Sequence, residues 1–146
     1  MGLAAGAAAG VALRADPVIS EFMAANTAVL ADEDGAYADW IELHNPGASA
    51  VPLTGWYLTD TVTNKTRWQF PDVTLPAGGY LIVFASDKNR REPGARLHTN
   101  FALDADGEYL ALVRPDGVTV VAEFAPEYPK QQDNQSFGFA AGSLGG

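Results

Sequence analysis

Acidic residues are the first group in the sequence that could do chemistry. Two short stretches are rich in carboxylates and glycine, and the first carries no lysine or arginine. Carboxylates on a turn-rich loop suit Ca²⁺, which takes about six to eight oxygen ligands. One interpretation is therefore a calcium site, with the candidate ligands Asp32, Asp34, Asp39, Asp104 and Asp106. The alternative is a pair of solvated turns, because Ala36 stands where an EF-hand loop needs an oxygen ligand.

A basic loop is the second group. Lys88, Arg90, Arg91 and Arg96 are clustered in a chain that is otherwise strongly acidic. The functional interpretation is a docking patch for an acidic partner, and the Asp32 loop of another copy is one candidate. The alternative is a solubilising loop, because exposed ion pairs stabilise little.

Catalysis has little support in the residue pattern. His44 and His98 are the only histidines, and no nucleophile elbow, phosphate-binding glycine loop or metalloprotease helix occurs. We predict no catalytic residues and no enzyme activity. The aromatic residues lie within strand patterns, which favours packing over carbohydrate stacking.

Composition excludes several classes of partner. Eighteen acidic residues against nine basic ones give a net charge of −9, which disfavours nucleic acid and anionic membranes. The absence of cysteine removes disulfides and thiolate-bound zinc. No cofactor other than calcium is expected.

The N-terminal segment is apolar and unlike the rest. Residues 2–13 carry no charge and are too few to span a bilayer, which takes about 20 residues. We interpret residues 1–16 either as a secretory-signal remnant or as an assembly strand, with Leu3, Val11 and Leu13 as the candidate contacts. A domain is expected over 17–140 and a glycine-rich tail over 141–146.

The elements that must position these groups are short strands. Residues 39–45 alternate in polarity with a period of two. Residues 80–85 are apolar on both faces, which predicts a central strand covered on both sides or lying inside a sandwich. Pro115-Asp116-Gly117 between two β-rich runs predicts a hairpin. No helix of three turns is expected after residue 16. About eight or nine strands indicate an all-β sandwich.

A series of sequence motifs then resembles the lamin tail domain, in its bacterial branch. The resemblance covers about residues 17–139 and is carried by ISEFMAAN (19–26), DEDG (32–35), DWIELHN (39–45), LTGWYLTD (53–60), WQFP (68–71), LPAGGYL (75–81) and LHTNF (97–101). It implies an immunoglobulin-like β-sandwich. It also implies an accessory module of secreted or surface proteins. The DNA binding of nuclear lamins depends on basic surface, and it does not carry over because this chain is acidic overall.

Three functions remain open at this point. The first is a non-catalytic extracellular or cell-surface protein-interaction module, secreted by a bacterium. The second is a self-assembling, filament-forming subunit joined through the N-terminal segment, in which the partner is another copy of the chain. The third is a calcium-dependent adhesion domain.

Overall fold

The computed structural model describes residues 16–138, which form eleven strands and contain no helix. The strands are β1 Val18–Met23, β2 Asp39–His44, β3 Val51–Pro52, β4 Tyr57–Thr59, β5 Trp68–Gln69, β6 Thr74–Leu75, β7 Tyr80–Ala85, β8 Leu97–His98, β9 Leu110–Val113, β10 Val120–Phe124 and β11 Phe137–Gly138. None of the described residues belongs to a helix that could cross a membrane. The all-β prediction is confirmed, and the strands that it missed, β3 and β6, have only two residues each.

Two main sheets form the sandwich. One has the order β11-β1-β2-β7-β8 and the other the order β10-β9-β4-β5, while β3 and β6 make a separate ribbon. Strand β8 lies parallel to β7, and all other strand pairs are antiparallel. This architecture is the predicted immunoglobulin-like sandwich.

The core lies between the two sheets and follows the predicted alternation. On β2, Ile41 and Leu43 are fully buried in the main core cluster, whereas Trp40 belongs to a separate cluster with Met23 and Phe84. The main cluster also contains Trp56 and Trp68, as expected if the tryptophans serve packing. Burial of these side chains is the principal stabilising contribution.

Strand β7 lies between β2 and β8 in the five-stranded sheet and is buried unevenly along its length. Its second half is buried, but Tyr80 at its start is 57% exposed and Leu81 and Ile82 are only partly buried. The sequence predicted a central strand covered on both sides or lying inside a sandwich, and β7 is central in its sheet, with full cover over its second half. At the buried end, the ring of Phe84 stacks on His98, and Ser86 Oγ, directly after β7, lies 2.7 Å from His98 Nδ1.

The β9–β10 hairpin is confirmed and its turn follows from its residues. Asp116 Oδ1 accepts hydrogen bonds from the amides of Val118 and Thr119, both at 2.8 Å, and Gly117 has a φ of 75°. Glycine adopts this left-handed conformation without steric cost. The bonds to Thr119 lower the pKa of Asp116 to about 2.

Candidate functional site

The acidic stretch forms a tight loop built around one side chain. Asp32 is 5% exposed, and its Oδ1 atom accepts hydrogen bonds from the amides of Asp34 and Ala36, each at 2.9 Å. The backbone closes the same turn through Asp32 N to Ala36 O at 2.8 Å, and Gly35 takes a φ of 78°. Asp32 Oδ2 is left to bind another group.

Two residues of the basic loop bind this acidic loop within the same chain. Lys88 Nζ lies 2.5 Å from Asp32 Oδ2 and 2.9 Å from Asp34 Oδ2. The Arg90 guanidinium donates to Glu33 Oε2 at 2.8 Å and to Asp34 Oδ2 at 2.7 Å. We call these five residues the charged clamp.

The clamp continues into the interior through a buried histidine. His98 is fully buried, its Nε2 lies 2.8 Å from Glu33 Oε1, and its Nδ1 lies 2.7 Å from Ser86 Oγ. Ser86 Oγ also accepts the Lys88 amide at 3.1 Å, and the His98 ring stacks on Phe84. The Ser86 hydroxyl, the His98 imidazole and the Glu33 carboxylate therefore form a chain of polar contacts from the basic loop to the acidic loop. This series cross-links the two loops.

The ionisation of the clamp follows from its contacts. Hydrogen bonds from Arg90 and Lys88 lower the pKa of Asp34 to about 2. Burial opposes the charge on Glu33, but hydrogen bonds from its own amide, His98 and Arg90 outweigh it and lower its pKa to about 2. Hydrogen bonds to Asp32 and Asp34 raise the pKa of Lys88. The carboxylates and the lysine are charged at neutral pH, so the ion pairs are present under ordinary conditions.

The other two predicted basic residues also contact their own chain. Arg91 Nε donates to Gln69 O at 2.6 Å, and Arg96 donates to Ala31 O at 3.3 Å. Arg91 thereby covers one carbonyl of the edge strand β5. The docking-patch prediction for the basic loop remains a prediction, but each of its four cations already has an acceptor in this chain.

The predicted calcium ligands do not converge on one point. Asp39 accepts the amides of Asn26 and Leu103, each at 3.3 Å, and burial raises its pKa. Asp104 Oδ1 accepts the Asp106 amide at 2.8 Å in a different turn.

The structure instead groups ligand atoms of Asp32, Glu33 and His98 within 4.8 Å of one another. A cation there would have to replace Lys88 and Arg90 at the same carboxylates. Calcium binding therefore stays a prediction.

Asp32, Asp34, Lys88 and Arg90 were all predicted as site residues, but the contact of the two loops was expected between copies, whereas it lies within one chain and also includes Ser86. The pairs are separated by more than fifty positions along the chain, so no local spacing reports the contact. The signal that the sequence did offer was charge complementarity, which made the Asp32 loop a candidate partner of the basic loop.

The loop that the clamp holds also exposes large apolar side chains. Val29 is 38% exposed, Leu30 44% and Tyr37 49%. Leu30 has a φ of 59°, an unusual left-handed conformation for a residue with a branched apolar side chain. The site thus combines a fixed backbone with exposed apolar side chains.

Comparison with known proteins agrees with this architecture. A family model described as Lamin Tail Domain matches residues 11–126. The chain belongs to the lamin tail domain family. No curated protein and no solved structure gives a significant match. Membership supports an immunoglobulin-like protein-interaction module of a generally non-enzymatic kind.

Proposed function

We propose that this lamin tail domain is a non-catalytic, extracellular protein-interaction module that binds its partner through residues 26–38. We call these residues the presenting loop. The observation that carries the proposal is that the charged clamp fixes this loop while Val29, Leu30 and Tyr37 stay exposed. A surface that is already ordered loses less entropy on binding.

Polar side chains hold the first half of the presenting loop. Asn26 Nδ2 donates to Ala38 O at 2.8 Å, and Asn26 Oδ1 accepts the Val29 amide at 2.8 Å. Asn134 Oδ1 accepts the amides of Thr27 and Ala28 at 2.8 and 2.9 Å. Asn26 therefore joins the two ends of the loop, Asn134 holds its start, and the clamp holds its middle at residues 32–34.

The conformation of Leu30 supports a binding role. A left-handed φ on a residue other than glycine or asparagine costs about 1 kcal/mol, and such strain concentrates at functional sites. Folding alone gives no reason to place an exposed leucine there. Tyrosine and large apolar side chains are typical of the centres of protein interfaces.

The test uses Leu30→Asn, because asparagine tolerates the left-handed conformation. The matched control is Val118→Asn, which removes an apolar side chain that is 71% exposed on the β9–β10 turn. Immobilised wild type and both variants are incubated with the culture medium and surface extract of the producing cells. We expect the same partner to be retained by wild type and Val118→Asn and lost by Leu30→Asn. Equal retention by all three would contradict the proposed surface.

We also propose that the chain acts outside the cytoplasm. Support comes from the apolar, uncharged run at residues 2–13, which resembles the apolar stretch of a secretory signal. Those residues lie outside the described part of the structure. Fractionation of producing cells, with detection by antibody, tests this proposal, and protein found only in the cytosol would contradict it.

Self-assembly is the second candidate function. The observation that favours it is strand β10, which has five residues and only one strand neighbour, β9, within residues 16–138. An edge of this kind can pair with an extended segment of another copy. The predicted joint, Leu3, Val11 and Leu13, lies outside the described residues. Light scattering of the full chain beside residues 16–146 tests it, because the shorter chain should then stay monomeric.

A further inference from the structure

The outer face of the five-stranded sheet carries two carboxylates opposite each other. Glu21 on β1 and Glu42 on β2 are paired in register, next to the pair Phe22 and Ile41. Because Phe22 and Ile41 point into the core and side chains alternate along a strand, the two glutamates point outward. Like charges directly opposite in a sheet destabilise it.

Nothing in the described part of the chain neutralises this pair. None of the ion pairs among residues 16–138 involves Glu21 or Glu42. The Glu42 carboxylate is held in place by the Ser20 hydroxyl, which donates to Oε1 at 2.8 Å from the bulge in β1. On the other side of Glu21, the paired residue of β11 is Gly138, which has no side chain to cover it.

Aromatic and apolar side chains continue the same face. His44 on β2 and Tyr80 on β7 are in register and stacked, with ring centroids 4.1 Å apart and 17° between the planes. His44 Nδ1 donates to Gly79 O at 3.1 Å, which fixes the ring. Beside Glu42, the paired residue of β7 is Ile82, which is partly buried. Tyr80 is 57% exposed, so its ring is open to a ligand.

We propose that this face docks a basic, extended segment of a protein partner. The cationic end of a lysine or arginine of the partner binds Glu21 and Glu42, and its alkyl stem lies along Tyr80 and Ile82. The surface offers both parts that such a side chain needs, paired carboxylates for the charge and an aromatic ring for the cation and stem. The net charge of −9 attracts such a segment at a distance.

This inference is independent of the presenting loop. The loop is proposed to use apolar contacts, whereas this face uses charge complementarity. A neutralising substitution here leaves Leu30 and the clamp unchanged, so the two proposals fail separately.

The experiment measures fluorescence anisotropy of a labelled peptide in which arginine alternates with valine, at low ionic strength. The test variant is Glu21→Gln with Glu42→Gln. The matched control is Glu92→Gln with Asp133→Asn, which removes the same two charges from exposed positions elsewhere. We expect the test variant to weaken peptide affinity about tenfold and the control to weaken it less than about twofold. Tyr80→Ala should weaken it about threefold.

Thermal melting of each variant, with and without peptide, completes the test. The double substitution Glu21→Gln with Glu42→Gln should melt no lower than wild type, because it relieves repulsion. Peptide should raise the melting temperature of wild type but not of this variant. Equal loss of affinity in both double variants would mean general charge attraction and overturn the proposal. A wild-type protein that does not bind the peptide would also overturn the proposal, whether or not it binds calcium at Glu21 and Glu42.

Discussion

Leu30 shows at the level of one residue how function and stability conflict in this domain. Its backbone is left-handed and its side chain is 44% exposed, so neither its conformation nor its burial explains a leucine there. Asparagine enters this region of φ and ψ more readily. We expect Leu30→Asn to raise the free energy of unfolding by about 0.5–1 kcal/mol in urea titrations, while partner binding is lost. A destabilised variant would show that the leucine side chain serves the fold.

Glu108 is the residue that should make stability depend on pH near neutrality. Burial, with the charges of Asp60 and Asp104, raises its pKa from 4.5 to about 7, although hydrogen bonds from the Asp104 amide and Tyr128 oppose the rise. The folded chain therefore holds a proton that the unfolded chain releases between these values. The stability that protonated Glu108 contributes to the fold is fully present below pH 4.5, falls as the pH rises through this window, and is lost above about pH 7.

Unfolding of wild type and Glu108→Gln at several pH values measures this effect. Because Glu108 is partly solvated, we expect the free energy of unfolding to fall by about 1 kcal/mol more in the wild type than in the variant between pH 4.5 and pH 7. Taking the difference removes every pH-dependent contribution that the two proteins share. Parallel curves for the two proteins would mean that Glu108 ionises at its ordinary pKa.

At the level of elements, the turn before β9 is held against the segment that follows β10. Tyr128 donates its amide to Glu108 O and its hydroxyl to Asp104 O, at 3.0 and 2.8 Å. A Cβ atom on Gly107, where φ is 112°, would lie 2.5 Å from Tyr128 O, which is backbone and cannot easily yield. The two segments can approach each other only with glycine at this position.

Gly107→Ala and Gly94→Ala make a matched pair for this contact. Gly94 also has a positive φ, 85°, but an added Cβ would meet nothing within 4 Å. We expect Gly94→Ala to lower the free energy of unfolding by about 1 kcal/mol, from backbone strain alone. Gly107→Ala should lower it by at least about 2 kcal/mol, because the added Cβ also meets the Tyr128 carbonyl. Equal losses in chemical denaturation would show that the close approach adds nothing.

The buried series of Ser86, His98 and Glu33 joins β7 and β8 to the presenting loop. Ser86→Ala leaves Nδ1 of the fully buried His98 without its partner. An unsatisfied buried polar group costs about 1–3 kcal/mol, and we expect a loss of that size in thermal or urea unfolding. Ser136→Ala is the control at an exposed serine. An unchanged unfolding free energy would mean that water replaces the hydroxyl.

Across the whole molecule, the fold was predictable from the sequence to a greater extent than the site. Period-two alternation in β2, the Asp116-Gly117 turn and the ordered family motifs each report local geometry, and all are confirmed. The pairing of Lys88 with Asp32 depends on how two distant loops fold over one sheet face, which no local pattern encodes. The apolar run of β7 likewise predicted a central strand, but it does not report how far each end of that strand is covered.

The central claim is that the charged clamp holds the presenting loop in a fixed, binding-ready conformation, and amide hydrogen exchange tests it most directly. Wild type is compared with the double substitution Lys88→Met and Arg90→Met, and with a control, Lys65→Met and Lys130→Met, that removes the same charge elsewhere. We expect exchange at the amides of Asp34 and Ala36 to rise about tenfold or more in the first variant only, with Ile41 and Val83 in the core unchanged. Equal exchange in all three proteins, or an increase that extends to the core strands, would contradict the account.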